Sequence, residues 1–113
     1  MMTPDELFAI LSDETRLRCL LLLQKEKELC VCELSQVLGS MQPKISRHLA
    51  LMRQSGLISD ERRSQWVYYR LNNNLQGWIH KILATILREL KDHEPYCFDL
   101  EKIKELRTKN TCS

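Results

Sequence analysis

No run of 18 apolar residues occurs anywhere in the chain, so no segment reads as a membrane-spanning helix. There is no glycine-rich phosphate loop, no nucleophile–base pair and no closed four-ligand zinc spacing, and an enzyme is therefore not expected. Internal repeats and low-complexity tracts are missing too, which leaves one compact domain for 113 residues. Excess charge is scarce: the formal net is +2, so composition alone does not mark a nucleic-acid binder. Nor do the cysteines form an even set. Five is an odd number, and the opening MMTPDELFAIL is acidic and amphipathic rather than a secretory leader. The expected setting is a soluble protein of the reducing cytoplasm, without a disulfide framework and without a membrane partner. Each cysteine then has to be weighed as core filler, metal ligand or redox group.

What is present concentrates between Leu29 and Ile58. Val31, Leu34, Val37 and Leu38 recur at intervals of three and four and define one face of a short helix. Gly39 stands where a helix commonly stops in a left-handed residue, and Ser40 suits the cap of a second helix with Pro43 in its first turn. Ile45, Leu49 and Met52 form that helix's buried stripe, and Gly56 ends it. Two short helices joined by a tight turn are the helix-turn-helix, whose second helix enters the DNA major groove.

Ile58–Arg63 and Trp66–Leu71 follow as two strand-like runs around Ser64-Gln65, a hairpin in the position of a wing. Residues 40–70 hold six basic side chains (Lys44, Arg47, Arg53, Arg62, Arg63, Arg70) against Asp60 and Glu61, so +4 lies there and −2 elsewhere. A basic patch coinciding with the reading motif is the footprint of a DNA binder, although any single Arg is as well explained by a solvated face. Gln42 and Arg47 are expected on base edges. Lys44, Ser46, Arg62 and Arg63 are expected on phosphates, with Ser40, His48 and Gln65 close by.

Around this core the pattern predicts a helix over Pro4–Leu11 capped by Thr3, and a Leu-rich central helix from Ser12 or Asp13 to about Gln24. A long helix over about Leu75–Lys91 carries Leu75, Trp78, Ile79, Ile82, Leu83, Ile86, Leu87 and Leu90. That stripe exceeds the needs of so small a core and is assigned to homodimerisation, helped by Leu7, Phe8, Ile10 and Leu11. A plain core helix is the alternative. The expected class is mainly α with a small β-hairpin, a winged helix-turn-helix in the order α-α-α-α-β-β-α. Its main domain spans 1–94, and a short C-terminal helix (Asp99–Lys109) and mobile tail fill 95–113.

This order, together with ELCVCEL and QPKISRHLALMRQSGLI, resembles the ArsR/SmtB family of winged-helix metal-sensing repressors over roughly residues 5–91. Within it the chain looks most like the arsenic-responsive repressors, which share DETRL (here Asp13–Leu17) and nearly the whole of PKISRHLALLRESGL. The resemblance implies a homodimer that binds double-stranded operator DNA and releases it on capturing its inducer, arsenic(III) or a similar thiophile, with no constitutive cofactor. One departure matters. Those sensors carry CVCxxC, whereas the third position here is Ser35. The family's cadmium and lead sensors add cysteines from an N-terminal extension, and here none precedes Cys19. Its zinc sensors place Asp and His on the last long helix; His80 and His93 lie there, but Trp78 occupies the first Asp position.

Cys30 and Cys32 are thus the expected ligands, soft thiolates suited to a thiophile. Residues i and i+2 diverge on a regular helix, so both sulfurs reach one atom only if Cys30 lies at or before the first turn, or that turn unwinds. Cys97 and Cys112 are candidates for a third thiolate, each otherwise an incidental exposed thiol, and Cys19 reads as core filler. Two other functions stay open: a thiol redox-responsive repressor, and a winged-helix protein-interaction module with structural cysteines.

Overall fold

The structure, a computed structural model of the chain, describes residues 2–109, Lys109 without its side chain. Helix α1 (Pro4–Leu11) opens on a capping box. The Glu6 amide donates to the Thr3 hydroxyl at 3.3 Å, and the Thr3 amide donates to the Glu6 carboxylate at 2.9 Å. Asp13 caps helix α2 (Glu14–Glu26) by accepting the Arg16 amide at 3.0 Å. Cys19 and Leu20–Leu23 are buried in succession, so α2 is enclosed on all sides and forms the hub on which every other helix packs.

The helix-turn-helix follows as α3 (Val31–Leu38) and α4 (Gln42–Gln54). Gly39 ends α3 at φ 66°, ψ 31°, its amide donating to the Ser35 carbonyl. The Ser35 hydroxyl donates to the Ser40 carbonyl, and the Ser40 amide returns to the Ser35 carbonyl at 3.2 Å. With its backbone tied into the turn, Ser40 does not cap α4. Met41 holds that place without a side-chain bond. A Cβ on Gly39 would meet nothing within 4 Å, so Gly39→Ala carries only the left-handed backbone cost. It is expected to lower the unfolding free energy by about 1 kcal/mol. Urea titration reads this as a lower midpoint with an unchanged slope.

The wing is β2 (Ile58–Arg63) and β3 (Trp66–Leu71), paired antiparallel from Ile58↔Leu71 to Arg63↔Trp66 around Ser64 at φ 59°. A third strand, β1 (Leu29–Cys30), was not anticipated. It pairs with β3 through Leu29↔Tyr69 and Cys30↔Tyr68, giving the sheet order β1-β3-β2. Two residues are too short for periodicity to reveal.

Helices α5 (Gly77–Leu90) and α6 (Tyr96–Lys109) are the last elements among the described residues. On α5 the expected dimer stripe divides. Ile79 and Leu83, four apart, are buried in the subunit's own core, as are Leu7 and Ile10 of α1. Trp78, Ile82, Ile86, Leu87 and Leu90 stay half-buried and Phe8 is 55% exposed. Helix α6 is no appendage. It packs on α2 and α3, burying Ile103 completely. The start of this helix at Tyr96 rather than Asp99 adds a turn that the weak apolar seam did not mark. The tail, with Cys112, lies outside the described residues.

Candidate functional site

On α4, Ile45, Leu49 and Met52 face the core, which leaves Gln42, Lys44, Ser46 and Arg47 exposed on the opposite side. Arg62 and Gln65 are exposed at the wing tip. Among the described residues Lys44, Arg47 and Arg62 join no ion pair. The other cations of the patch are engaged. Arg63 donates to the Glu28 carboxylate at 2.7 and 2.9 Å and to Glu61 at 2.9 Å, with its guanidinium 4.8 Å from the Tyr68 ring centre. Arg70 lies 3.7 Å from Glu61, and Arg53 lies 3.8 Å from Asp60. A tally of charges along the sequence therefore overstates the cations aimed at solvent. Half-buried His48 turns inward, its Nδ1 lying 3.3 Å from Arg16, whose other nitrogens donate to carbonyls of Ile10 and Ala9. Burial lowers the His48 pKa, with Arg16, Lys44 and Arg47 adding to the shift and Asp13 opposing it. His48 belongs to the joint between α1, α2 and α4 rather than to the reading face.

The cysteine pair sits on the other end of the same unit. Cys30 is the N-cap of α3, in extended conformation (φ −90°, ψ 164°), and Cys32 lies in the first turn. The geometric condition for both sulfurs to approach one atom is met at the backbone, because Cys30 precedes the helix. Cys30 stands in a capping box: its sulfur takes the Glu33 amide, and its own amide donates to the Glu33 carboxylate at 3.0 Å. The Gln36 side-chain Nε2 donates to the Cys32 sulfur at 3.4 Å. Burial pushes the Cys30 thiol above the usual cysteine range. The Glu33 amide opposes this, while the Glu33 carboxylate adds to it. Cys30 also belongs to β1, so one residue touches both the wing sheet and the helix that supports α4.

Ser35, at the position of the missing third cysteine, is committed to the turn. His80 and His93 are exposed, and among the described residues no three His, Cys, Asp or Glu side chains gather to hold a metal ion. Cys97 is half-buried at the start of α6. Cys19 is fully buried, and burial pushes its pKa up to about 12. At pH 8 it stays protonated and shielded, so iodoacetamide is expected to leave Cys19 unmodified in the folded chain and to label it only in urea. Peptide mass spectrometry reads the difference; labelling of Cys19 without denaturant would contradict the packing. The Arg107–Glu33 and Arg18–Asp99 pairs went unread in the sequence, since ion pairs 74 and 81 residues apart leave no local pattern.

A recognition helix with bare cations, a winged sheet and a cysteine-capped support helix define a transcriptional regulator of the winged helix-turn-helix class, not an enzyme. The sequence model of the bacterial regulatory protein arsR family matches residues 13–60. The arsenic resistance transcriptional regulator ArsR2 of Pseudomonas putida is 53% identical over 88 residues, covering 78% of this chain and 76% of the relative. The arsenical resistance operon repressor of Escherichia coli is 52% identical over 85 residues, covering 75% and 73%. Among solved structures, HlyU from Vibrio cholerae superposes with a TM-score of 0.67 at 30% identity, over 75% of this chain and 88% of that one. The protein belongs to the arsR family of bacterial regulators.

Proposed function

We propose that the protein is a homodimeric repressor that holds operator DNA through α4 and the wing and lets go when arsenite or a similar thiophile binds Cys30 and Cys32. The observation that carries this reading is the place of Cys30, at once the last residue of β1 and the cap of α3. Drawing both sulfurs onto one atom takes the Cys30 sulfur from its cap position and strains the first turn of α3. The disturbance reaches α4 through α3 and the wing through β3. Base edges are read by Gln42 and Arg47. Phosphates are held by Lys44, Ser46 and Arg62, with Gln65 beside them. Arg63 would first have to leave Glu28 and Glu61.

The dimer forms through the half-buried side of α5 (Trp78, Ile82, Ile86, Leu87, Leu90) and Phe8, setting the two recognition helices about 34–36 Å or a multiple apart along the DNA. No helix among the described residues is long and apolar enough to cross a membrane, in keeping with work in the cytoplasm. Fluorescence anisotropy of a labelled operator tests the reading. Arsenite added in a phosphine reductant, which offers arsenic no competing thiol and keeps cysteines reduced, is expected to release the DNA. Unchanged anisotropy would overturn it. In the same assay Arg47→Ala should cost about 1–3 kcal/mol of operator affinity and blunt sequence preference. Retained affinity would remove Arg47 from the interface.

A further inference from the structure

Met41 is 77% exposed, more than Phe8, Leu51 or Phe98, the other large apolar side chains left open among the described residues. A lone exposed apolar side chain is ordinary on a protein surface. This one stands at the cap of the reading helix, where a polar residue would serve folding better. Ser, Thr, Asn or Asp at a cap takes a backbone amide, and the Met41 side chain makes no such bond. The fold gains from it no cap bond and little buried apolar area.

Its backbone, by contrast, is fixed. Met41 is extended (φ −68°, ψ 143°), and its carbonyl accepts the Lys44 and Ile45 amides at 3.1 and 3.2 Å. The turn before it is closed by Gly39 and by the bonds between Ser35 and Ser40. Turn and helix together hold Met41 at the N-terminal tip of α4, next to the exposed Gln42 and Pro43. The N-terminal residues of a recognition helix are those that meet base edges. Here that tip consists of two apolar side chains around one amide, with Lys44 as the first cation of the helix.

A methionine has little to offer a phosphate, since a thioether is a weak acceptor and no donor. Base edges in the major groove present donors and acceptors at every pair, and their one apolar feature is the C5-methyl of thymine. A flexible, unbranched thioether adapts well to so small an apolar target. Gln42 suits adenine N6 and N7, so the tip as a whole fits a step that holds both an adenine and a thymine. Resting on the reading of α4 as the DNA-reading helix, we propose that Met41 is a specificity-determining residue, its side chain packed on the C5-methyl of one thymine in each operator half-site. Met41 then selects thymine over cytosine without making a hydrogen bond.

The probe is a DNA duplex selected from a random-sequence library by the unaltered protein. Each thymine in it is then replaced singly by deoxyuridine, which removes the methyl and nothing else. Anisotropy is read at one fixed salt concentration. One thymine position per half-site is expected to lose about fourfold in affinity on replacement, the worth of one buried methyl-sized group. Met41→Ala should bind the thymine duplex more weakly and lose nothing further with deoxyuridine at that position. A duplex with no methyl-sensitive thymine, or a penalty that persists in Met41→Ala, would overturn the assignment. So would equal weakening by Met41→Ala on the selected duplex and on unrelated DNA. If no sequence is enriched from the library, it is the reading of α4 as a DNA reader that fails, a result distinct from the other three.

Discussion

Replacing Cys30 and Cys32 together by serine is expected to leave operator affinity within about twofold of the unaltered protein and to abolish release by arsenite. Serine is the smaller, more conservative change, and at residue 30 it is a better helix cap than cysteine. Its hydroxyl can take the Glu33 amide that the sulfur now takes, and the Glu33 carboxylate keeps the Cys30 backbone amide. Neither side chain lies on the exposed face of α4. The substitution therefore leaves the cap of α3 and the reading surface in place and removes the soft donors, since a neutral hydroxyl holds trivalent arsenic poorly. Operator anisotropy with and without arsenite checks both halves. Undiminished release by the double variant would defeat the proposed inducer site, and weakened binding without arsenite would show that the pair serves the fold instead.

The second large effect concerns α6. Asp99 is 2% exposed and carries its charge inside the protein against Arg18, whose side chain is 19% exposed. Asp99→Ala removes two short charge-assisted bonds and leaves the guanidinium partly buried beside a gap. Breaking a buried pair in this way costs about 3 kcal/mol, a large share of the roughly 5–15 kcal/mol that holds a domain together. Urea unfolding at fixed protein concentration measures it. A loss below about 0.5 kcal/mol, the range of ordinary surface substitutions, would mean that α6 is not docked as described.

The elements that carry the reading function were legible because they obey local rules. Ile45, Leu49 and Met52 repeat at helical spacing, Gly39 marks the turn, and Gln42, Lys44, Ser46 and Arg47 fall on the opposite face by simple geometry. The cysteine pair was legible for the same reason, and the requirement that Cys30 precede the helix is met by its extended backbone. What stayed hidden depends on distant partners. Strand β1 exists only because β3 comes back to pair with it, and it is this pairing that ties Cys30 to the wing. Helix α6 has a thin apolar seam, yet Asp99 and Arg107 find Arg18, Glu26 and Glu33 across the fold and turn a weak helix into a pinned one. Arg63 looked like a free cation of the patch because sequence shows its charge and not its partners. Ile79 and Leu83 read as dimer residues because one wide stripe on α5 runs from the core to its half-buried side.

In the proposed mechanism DNA reading and inducer capture are coupled through one helix-turn-helix, and thermodynamic linkage gives that coupling a reciprocal test. Arsenite affinity is measured by titration calorimetry in phosphine reductant, first on the protein alone and then on the operator complex. Operator affinity is measured with and without saturating arsenite. The two ratios are expected to agree, arsenite binding the operator complex more weakly by the same factor by which arsenite weakens the operator. Equal arsenite affinities with and without operator would contradict the coupling.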